Sequence, residues 1–154
     1  MTISPFLANL RRQIGHQLLL LPSVSVLVDD PDGRDRILLA RHAAGGQWGF
    51  VGGMVEPEEH PAIAAARETL EETGLEVEVG ELITVAGGPG YTVHYGNGDV
   101  TSYVTTVYRA RIVGGAERPD GDEIDGLRWF ERNELPDTDL GPFATSLLTD
   151  LEIL

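Results

Sequence analysis

The stretch from Gly52 to Leu75, GGMVEPEEHPAIAAARETLEETGL, confines the fold more than any other part of the chain, because a glycine turn there runs into a short helix dense in carboxylates. Pro61 suits the first helical turn, where a missing N–H costs nothing, and Gly74 suits the left-handed position past the last turn. They bracket a helix over residues 59–73. At about 100° per residue, Glu68, Glu71 and Glu72 fall on one side, and Ile63, Ala66 and Leu70 on the other. The pattern predicts that the second face enters a core and the first is acidic. Glu68 precedes Glu71 by three residues and Glu72 by four, spacings at which like charges repel by about 0.2–0.5 kcal/mol per pair. Local stability does not favour this arrangement. A hard divalent cation does, since it takes carboxylate oxygens and the triad gathers them within ~6 Å of helix rise. The plain alternative is a solvated acidic face.

Spacing separates the two. Gly53 is followed by five residues and Glu59, then by seven residues and Arg67-Glu68, then by Thr69, Leu70, Glu71-Glu72, Thr73, Gly74 and Leu75. This array resembles the Nudix box, the loop-helix-loop signature of hydrolases that cleave nucleoside diphosphates linked to another group. Every charged and glycine position of the box is present. Thr69 stands where the family usually has an aliphatic residue, and Val51 where a proline commonly precedes the two glycines. Neither departure removes a ligand, and so many fixed positions in one short segment are a specific signal. The resemblance implies that Glu68, Glu71 and Glu72, with the carbonyl of Gly53, hold one or more Mg²⁺ or Mn²⁺ ions. It implies that Arg67 pairs with Glu59, locking loop to helix and orienting the other carboxylates. A metal-activated water would attack phosphorus while a carboxylate takes its proton, with Glu68 as first choice of base.

Composition removes competing chemistries. The chain has 154 residues, 42% of them hydrophobic, which is ordinary for one globular domain over residues 1–154. With no cysteine, disulfides, thiolate zinc sites and cysteine nucleophiles are excluded. All eleven basic residues are arginine, which excludes Schiff-base and P-loop lysines. A formal charge of −14 argues against broad electrostatic binding to long nucleic acid or to anionic membranes. The apolar run at residues 18–21 is too short for a signal-peptide core or a membrane span, so the expectation is a cytoplasmic protein.

Along the chain, residues 5–14 read as a short amphipathic helix or an extended arm. Residues 16–29 read as two strand segments separated by Pro22, and Asp30-Pro31-Asp32-Gly33 as a turn joining strands in a hairpin. Arg36 to His42 reads as a strand that delivers Arg41 near the glycine loop; the resemblance makes Arg41 a candidate for holding substrate phosphate. Trp48 is read as packing beneath that loop. Residues 75–86 alternate as a strand, and segments 91–95 and 100–113 flank the Asn97-Gly98 turn as a long hairpin, the second segment crossing the sheet centre. Family members read the non-phosphate end of the substrate with loops past the box, which makes Tyr91 a candidate for stacking on a base, with Tyr95 and His94 of the same standing. Glu123, at the start of the strand-like run EIDGLRWF, resembles a glutamate that reaches back to the metals, and is a candidate further ligand or alternative base; Asp122 is the fallback. Residues 131–135 read as a helical turn stopped by Pro136, and residues 142–151 as a terminal helix packing Phe143, Leu147, Leu148 and Leu151.

The elements imply an α/β or α+β domain. The resemblance sharpens this to an α/β/α sandwich with a mixed curved sheet, the box helix on one side and the terminal helix on the other. It implies metal-dependent hydrolysis of a diphosphate bond in a small nucleotide. The competing reading is a sensor module that binds nucleotide without turnover. A sheet protein of this kind is compatible with a homodimer.

Overall fold

Strand alternation distributes the apolar residues to two opposite faces, and the architecture follows from it. The computed structural model describes residues 3–154. In β1 (Leu19–Val28), Val24, Val26 and Val28 enter one core while Leu27 packs on the other; in β2 (Arg36–His42), Leu38 and Ala40 oppose Ile37 and Leu39 in the same way. The remaining strands are β3 (Trp48–Met54), β4 (Leu75–Ala86), β5 (Thr92–His94), β6 (Val100–Gly115) and β7 (Ile124–Glu131). They form a mixed sheet in the order β4-β6-β1-β3-β2-β7, with β5 on β6. Among the paired strands of the described residues, only β1 and β6 run parallel. Helix α2 (Pro61–Thr73) covers one core through Ala64 and Ala65, and α3 (Pro142–Asp150) covers the other through Ala144, Leu147 and Leu148. The result is the expected α/β/α sandwich.

The structure settles one open reading and corrects several local expectations. Residues 5–14 form a helix, α1 (Pro5–Ile14), capped by Ser4 and carrying no buried residue. Pro22 does not divide β1: its carbonyl accepts from Val55 N–H at 3.1 Å just past the last β1–β3 pair, Ser23 with Met54, so its missing N–H falls where that ladder ends. Gly33 N–H closes the turn on Asp30, but β1 and β2 are not paired, because β3 lies between them. β5 is only three residues long, Tyr91 instead ends a 3₁₀ turn (Pro89–Tyr91), and β6 is second from the β4 edge rather than central. Pro136 lies inside a 3₁₀ turn (Arg132–Asp137) instead of stopping it.

The main correction concerns α2. It begins at Pro61 with His60 as N-cap, and its buried residues are Ala64, Ala65, Glu68, Thr69, Glu72 and Thr73. Ile63 and Leu70, read as core residues, are 62% and 48% exposed. The helix turns Glu68 and Glu72 to the sheet and leaves Glu71 exposed. Thr69, wholly buried, satisfies its hydroxyl on the carbonyl of Ala65 at 2.7 Å, so a hydroxyl fits where an aliphatic residue is usual. Val51 is wholly buried and pairs with Val26. Among the described residues no helix is long and apolar enough to cross a membrane.

This orientation is testable by thermal unfolding. Leu70→Gln should change stability by no more than about 0.5 kcal/mol. Ala65→Leu should cost about 1–3 kcal/mol by overpacking the interface with the sheet. The reverse ranking would mean that α2 is rotated.

Candidate active site

Two adjacent glycines set the distance between the sheet and the acidic helix. A Cβ on Gly52, whose φ is +153°, would lie 2.0 Å from the carbonyl oxygen of Val24, so only glycine lets β3 pass β1 there. A Cβ on Gly53 would lie 2.5–2.7 Å from the carboxylate of Glu68, which occupies the space the side chain would take. β3 pairs with β1 over residues 51–54 and with β2 only over residues 48–50. Past Phe50 its other edge is therefore released, and Gly52 N–H donates to Glu72 Oε2 at 3.3 Å.

Glu68 and Glu72 are 6% and 3% exposed. Burial pushes the Glu68 carboxyl up to about 7; Arg67 opposes the shift, and the charges of Glu71 and Glu123 add to it. Glu72 is driven well above the usual range, first by burial and then by Glu68 and Glu123. Glu123 is also raised by burial, with Asp120, Asp122 and Glu71 adding to it. Glu123, at the mouth of β7, is thus within electrostatic reach of the helix carboxylates although 51 residues separate it from Glu72. The structure brings these four glutamates and the Gly52–Gly53 loop into one region.

One cation is set among them. Arg67 donates to both oxygens of Glu59, at 2.7 and 2.9 Å, and to the Met54 carbonyl at 3.2 Å. Its Nη1 donates to Glu68 Oε1 at 2.9 Å and to Glu71 Oε2 at 3.3 Å. Glu59 also accepts from Glu56 N–H, and the Arg67 hydrogen bond followed by that contact holds its carboxyl below the usual range. The pair joins the loop to the helix while aligning Glu68.

Arg41 lies at the rim. Its Nε donates to Asp125 at 2.7 Å and its guanidinium sits 5.8 Å from the Trp48 ring centre; among the described residues nothing is bonded to its terminal nitrogens. Trp48 packs edge-on against Phe130 in the α3-side core. Tyr91 departs from expectation. It is 2% exposed, packs edge-on against Phe143 and donates to Asp150 at 2.5 Å, so its ring has no face open to a base. Its place before a strand gave no sign that α3 would cover it. Tyr95 is 44% exposed, and its hydroxyl meets that of Tyr103 at 2.5 Å. Desolvation around the paired hydroxyls, rather than burial of the whole Tyr95 ring, raises both Tyr95 and Tyr103, and both feel the Glu123 charge. Tyr103 was not among the residues singled out from sequence; its position in a strongly β-prone run reads as ordinary strand.

The donor set is all oxygen, from carboxylates and a backbone carbonyl, which suits Mg²⁺ or Mn²⁺ rather than a thiophilic ion. The buried, mutually repelling Glu68 and Glu72 fit a cation by charge. They are not closed around a common point: among the described residues no three His, Asp or Glu side chains converge closely enough to hold an ion as they stand. Glu68 is turned to Arg67 instead. Two cavities, of about 350 Å³ beside Tyr91 and Asp150 and about 210 Å³ beside Glu78 and Arg109, lie away from the carboxylates.

Comparison with known proteins agrees with this fold. The model of the NUDIX domain matches residues 19–151. A MutT-like protein of Streptomyces ambofaciens is 35% identical over 130 residues, covering 84% of this chain and 76% of that one. The NAD-capped RNA hydrolase NudC of Stutzerimonas stutzeri is 32% identical over 126 residues, which are 80% of this chain but only 41% of that longer protein. Among solved structures, a MutT NUDIX hydrolase from Burkholderia pseudomallei superposes with a TM-score of 0.67 at 28% identity, covering 85% of this chain and 97% of its own.

The buried carboxylates make a stability prediction for the metal-free protein. A carboxyl raised in the folded state keeps its proton to higher pH than in the unfolded chain, so stability is lost as pH rises from about 4.5, the ordinary value, through about 7 for Glu68. In chelator, Glu72→Gln should therefore raise Tm at pH 7.5 by roughly 2–6 °C and flatten the decline between pH 5 and 7.5. A Tm at or below wild type at pH 7.5 would show that Glu72 is well accommodated as an anion.

Proposed function

The chain belongs to the Nudix family and is a pyrophosphohydrolase, and we propose that it hydrolyses a diphosphate bond in a small nucleotide with the help of Mg²⁺ or Mn²⁺. The observation that carries this reading is the pair of buried carboxylates, Glu68 and Glu72, pressed against the Gly52–Gly53 loop with Arg67 as the cation bonded within the cluster. Glu68, Glu71 and Glu72, with the Gly53 carbonyl, would hold the ion. When bound, it neutralises diphosphate charge and acidifies a water.

The chain's own groups supply the rest. Glu68 Oε1 is held by Arg67, which leaves Oε2 to accept the proton of the water that attacks phosphorus. The new P–O bond forms as the anhydride P–O bond breaks, and the leaving phosphate departs as an anion. Glu123 faces the same region as a further ligand or alternative base. Arg41 offers terminal nitrogens to a phosphate, the fork geometry matching two of its oxygens. The charge of −14 supports small nucleotides over long RNA, whose phosphates would meet repulsion well beyond the site.

The test is phosphate release, through a coupled phosphatase, from nucleoside triphosphates, ADP-ribose, nucleotide sugars and dinucleoside polyphosphates, with Mg²⁺ or Mn²⁺ and with chelator. Chelator-sensitive turnover favouring one compound is expected. Metal-dependent nucleotide binding without turnover on any of them would favour a sensor. Glu68→Gln should lower kcat by about 10²–10⁴-fold, the usual contribution of a general base. Glu72→Gln, the same substitution that stabilises the metal-free protein, should lose most turnover at saturating Mg²⁺. Glu123→Gln should shift the pH–rate profile and raise the metal requirement; neither change would return Glu123 to the solvated acids.

A further inference from the structure

The turn that leads from the glycine loop to α2 is not held by its own residues. Glu59 N–H closes it on the Glu56 carbonyl at 3.1 Å, Pro57 presets its second position, and its third is Glu58 with φ +64°. That left-handed conformation suits glycine and is unfavourable for a residue with a Cβ. Among the described residues, only Glu58 and Glu152 adopt a positive φ without being glycine. A strained turn persists only where its surroundings hold it. Two side chains do so here. From α2, Arg67 bonds the Met54 carbonyl and both oxygens of Glu59. From the start of α1, Ser4 Oγ donates to Glu56 Oε2 at 2.8 Å.

The second restraint comes from a helix outside both cores. α1 carries no buried residue, and its apolar stripe of Leu7, Leu10 and Ile14 is only half-buried. Polar contacts hold it at each end. At its C-terminal end, Arg11 donates to the carbonyls of Gly15, Gln17 and Val100 and to the hydroxyl of Thr101, a buried residue of β6. At its N-terminal end, the Ser4 hydroxyl accepts Leu7 N–H as the helix cap while donating to Glu56. Capping α1 and gripping the turn are therefore one arrangement of one hydroxyl. The contact leads inward. Glu56 N–H donates to Glu59 Oε1 at 3.1 Å, Arg67 donates to that same oxygen at 2.9 Å, and Arg67 Nη1 donates to Glu68 Oε1 at 2.9 Å. No link in the series from Ser4 to Glu68 is longer than 3.1 Å.

We infer that Ser4 and Glu56 are positioning residues for the proposed hydrolysis: their hydrogen bond docks α1 on the turn and, through Glu59 and Arg67, keeps Glu68 aligned. This rests on the diphosphatase reading. α1 is then part of the working site although it supplies neither ligand nor base. Without the bond, the turn relaxes from the conformation forced on Glu58, Glu59 moves with it, and Arg67 carries Glu68 out of line.

The experiment compares the full wild-type chain with Ser4→Asp and Ser4→Asn. Both substitutes cap a helix about as well as serine does. The asparagine amide keeps a donor for Glu56, whereas aspartate sets a like charge against it. kcat and KM are measured at saturating Mg²⁺ on the preferred nucleotide, and amide hydrogen exchange is followed in the metal-free proteins. Ser4→Asp should lower kcat about tenfold with KM nearly unchanged. It should also quicken exchange over residues 54–60 by about threefold or more. Ser4→Asn should stay close to wild type in both. A wild-type kcat in Ser4→Asp overturns the inference, and so does an equal loss in Ser4→Asn. Faster exchange confined to residues 5–14 does the same, because Ser4 would then be a helix cap alone. Each of these results leaves the diphosphatase reading standing. Failure of wild type to turn over any nucleotide overturns that reading and this inference with it.

Discussion

The structure depends on two carboxylates held against a glycine turn. Glu68 and Glu72 face the sheet where an amphipathic helix would ordinarily place leucine or valine, and the backbone of Gly52 and the bare Cα of Gly53 make that approach feasible. Burying a carboxylate disfavours its charged form, and placing two within one helical turn adds to the cost. Arg67 offsets only part of it, because its strongest geometry, two parallel hydrogen bonds, goes to Glu59. The fold thus holds a region of unfavourable electrostatics that a cation would relieve. That is the opposition expected between stability and function at a site built for binding.

The same opposition explains where sequence reading succeeded and failed. Residue types at fixed spacing were legible: the box, the Arg67–Glu59 partnership, the helix limits to within two residues and the two-layer packing all follow from local chemistry or from the resemblance. The buried face of α2 was not legible, because hydrophobic periodicity assumes that apolar residues go inside. Ile63 and Leu70 are exposed since the carboxylates and the small residues Ala64, Ala65 and Thr69 claim the sheet. Tyr91 misled for a related reason. An aromatic after a glycine-rich loop carries no sign that a helix more than fifty residues later will cover it.

Pairing order was equally hidden. The turn after β1 has the right residues and forms, but whether it joins neighbours depends on β3 inserting between β1 and β2, a non-local choice. That choice shapes the site. Because β3 is shared, pairing with β2 through residues 48–50 and with β1 through residues 51–54, its backbone is freed at Gly52. A strand paired on both sides throughout would have no N–H to give Glu72. The irregularity in the sheet and the anchoring of the acidic helix are one feature seen from two sides.

Charge then orders events at the proposed site. Glu68, Glu71, Glu72 and Glu123 surround it, with Asp120 within electrostatic reach of Glu72 and Glu123. Arg67 is already committed to Glu59, Glu68, Glu71 and Met54, and Arg41 is partly committed to Asp125. A diphosphate approaching this face meets net repulsion at separations inside the ~8 Å over which physiological salt leaves charges unscreened. Under the proposed function its affinity would therefore arrive with a cation, and by linkage the cation would bind more tightly with the diphosphate present. An ion pair spread through the cluster would remove that dependence. A single arginine bound mainly to Glu59 preserves it, holding the loop in place while leaving the carboxylates short of positive charge.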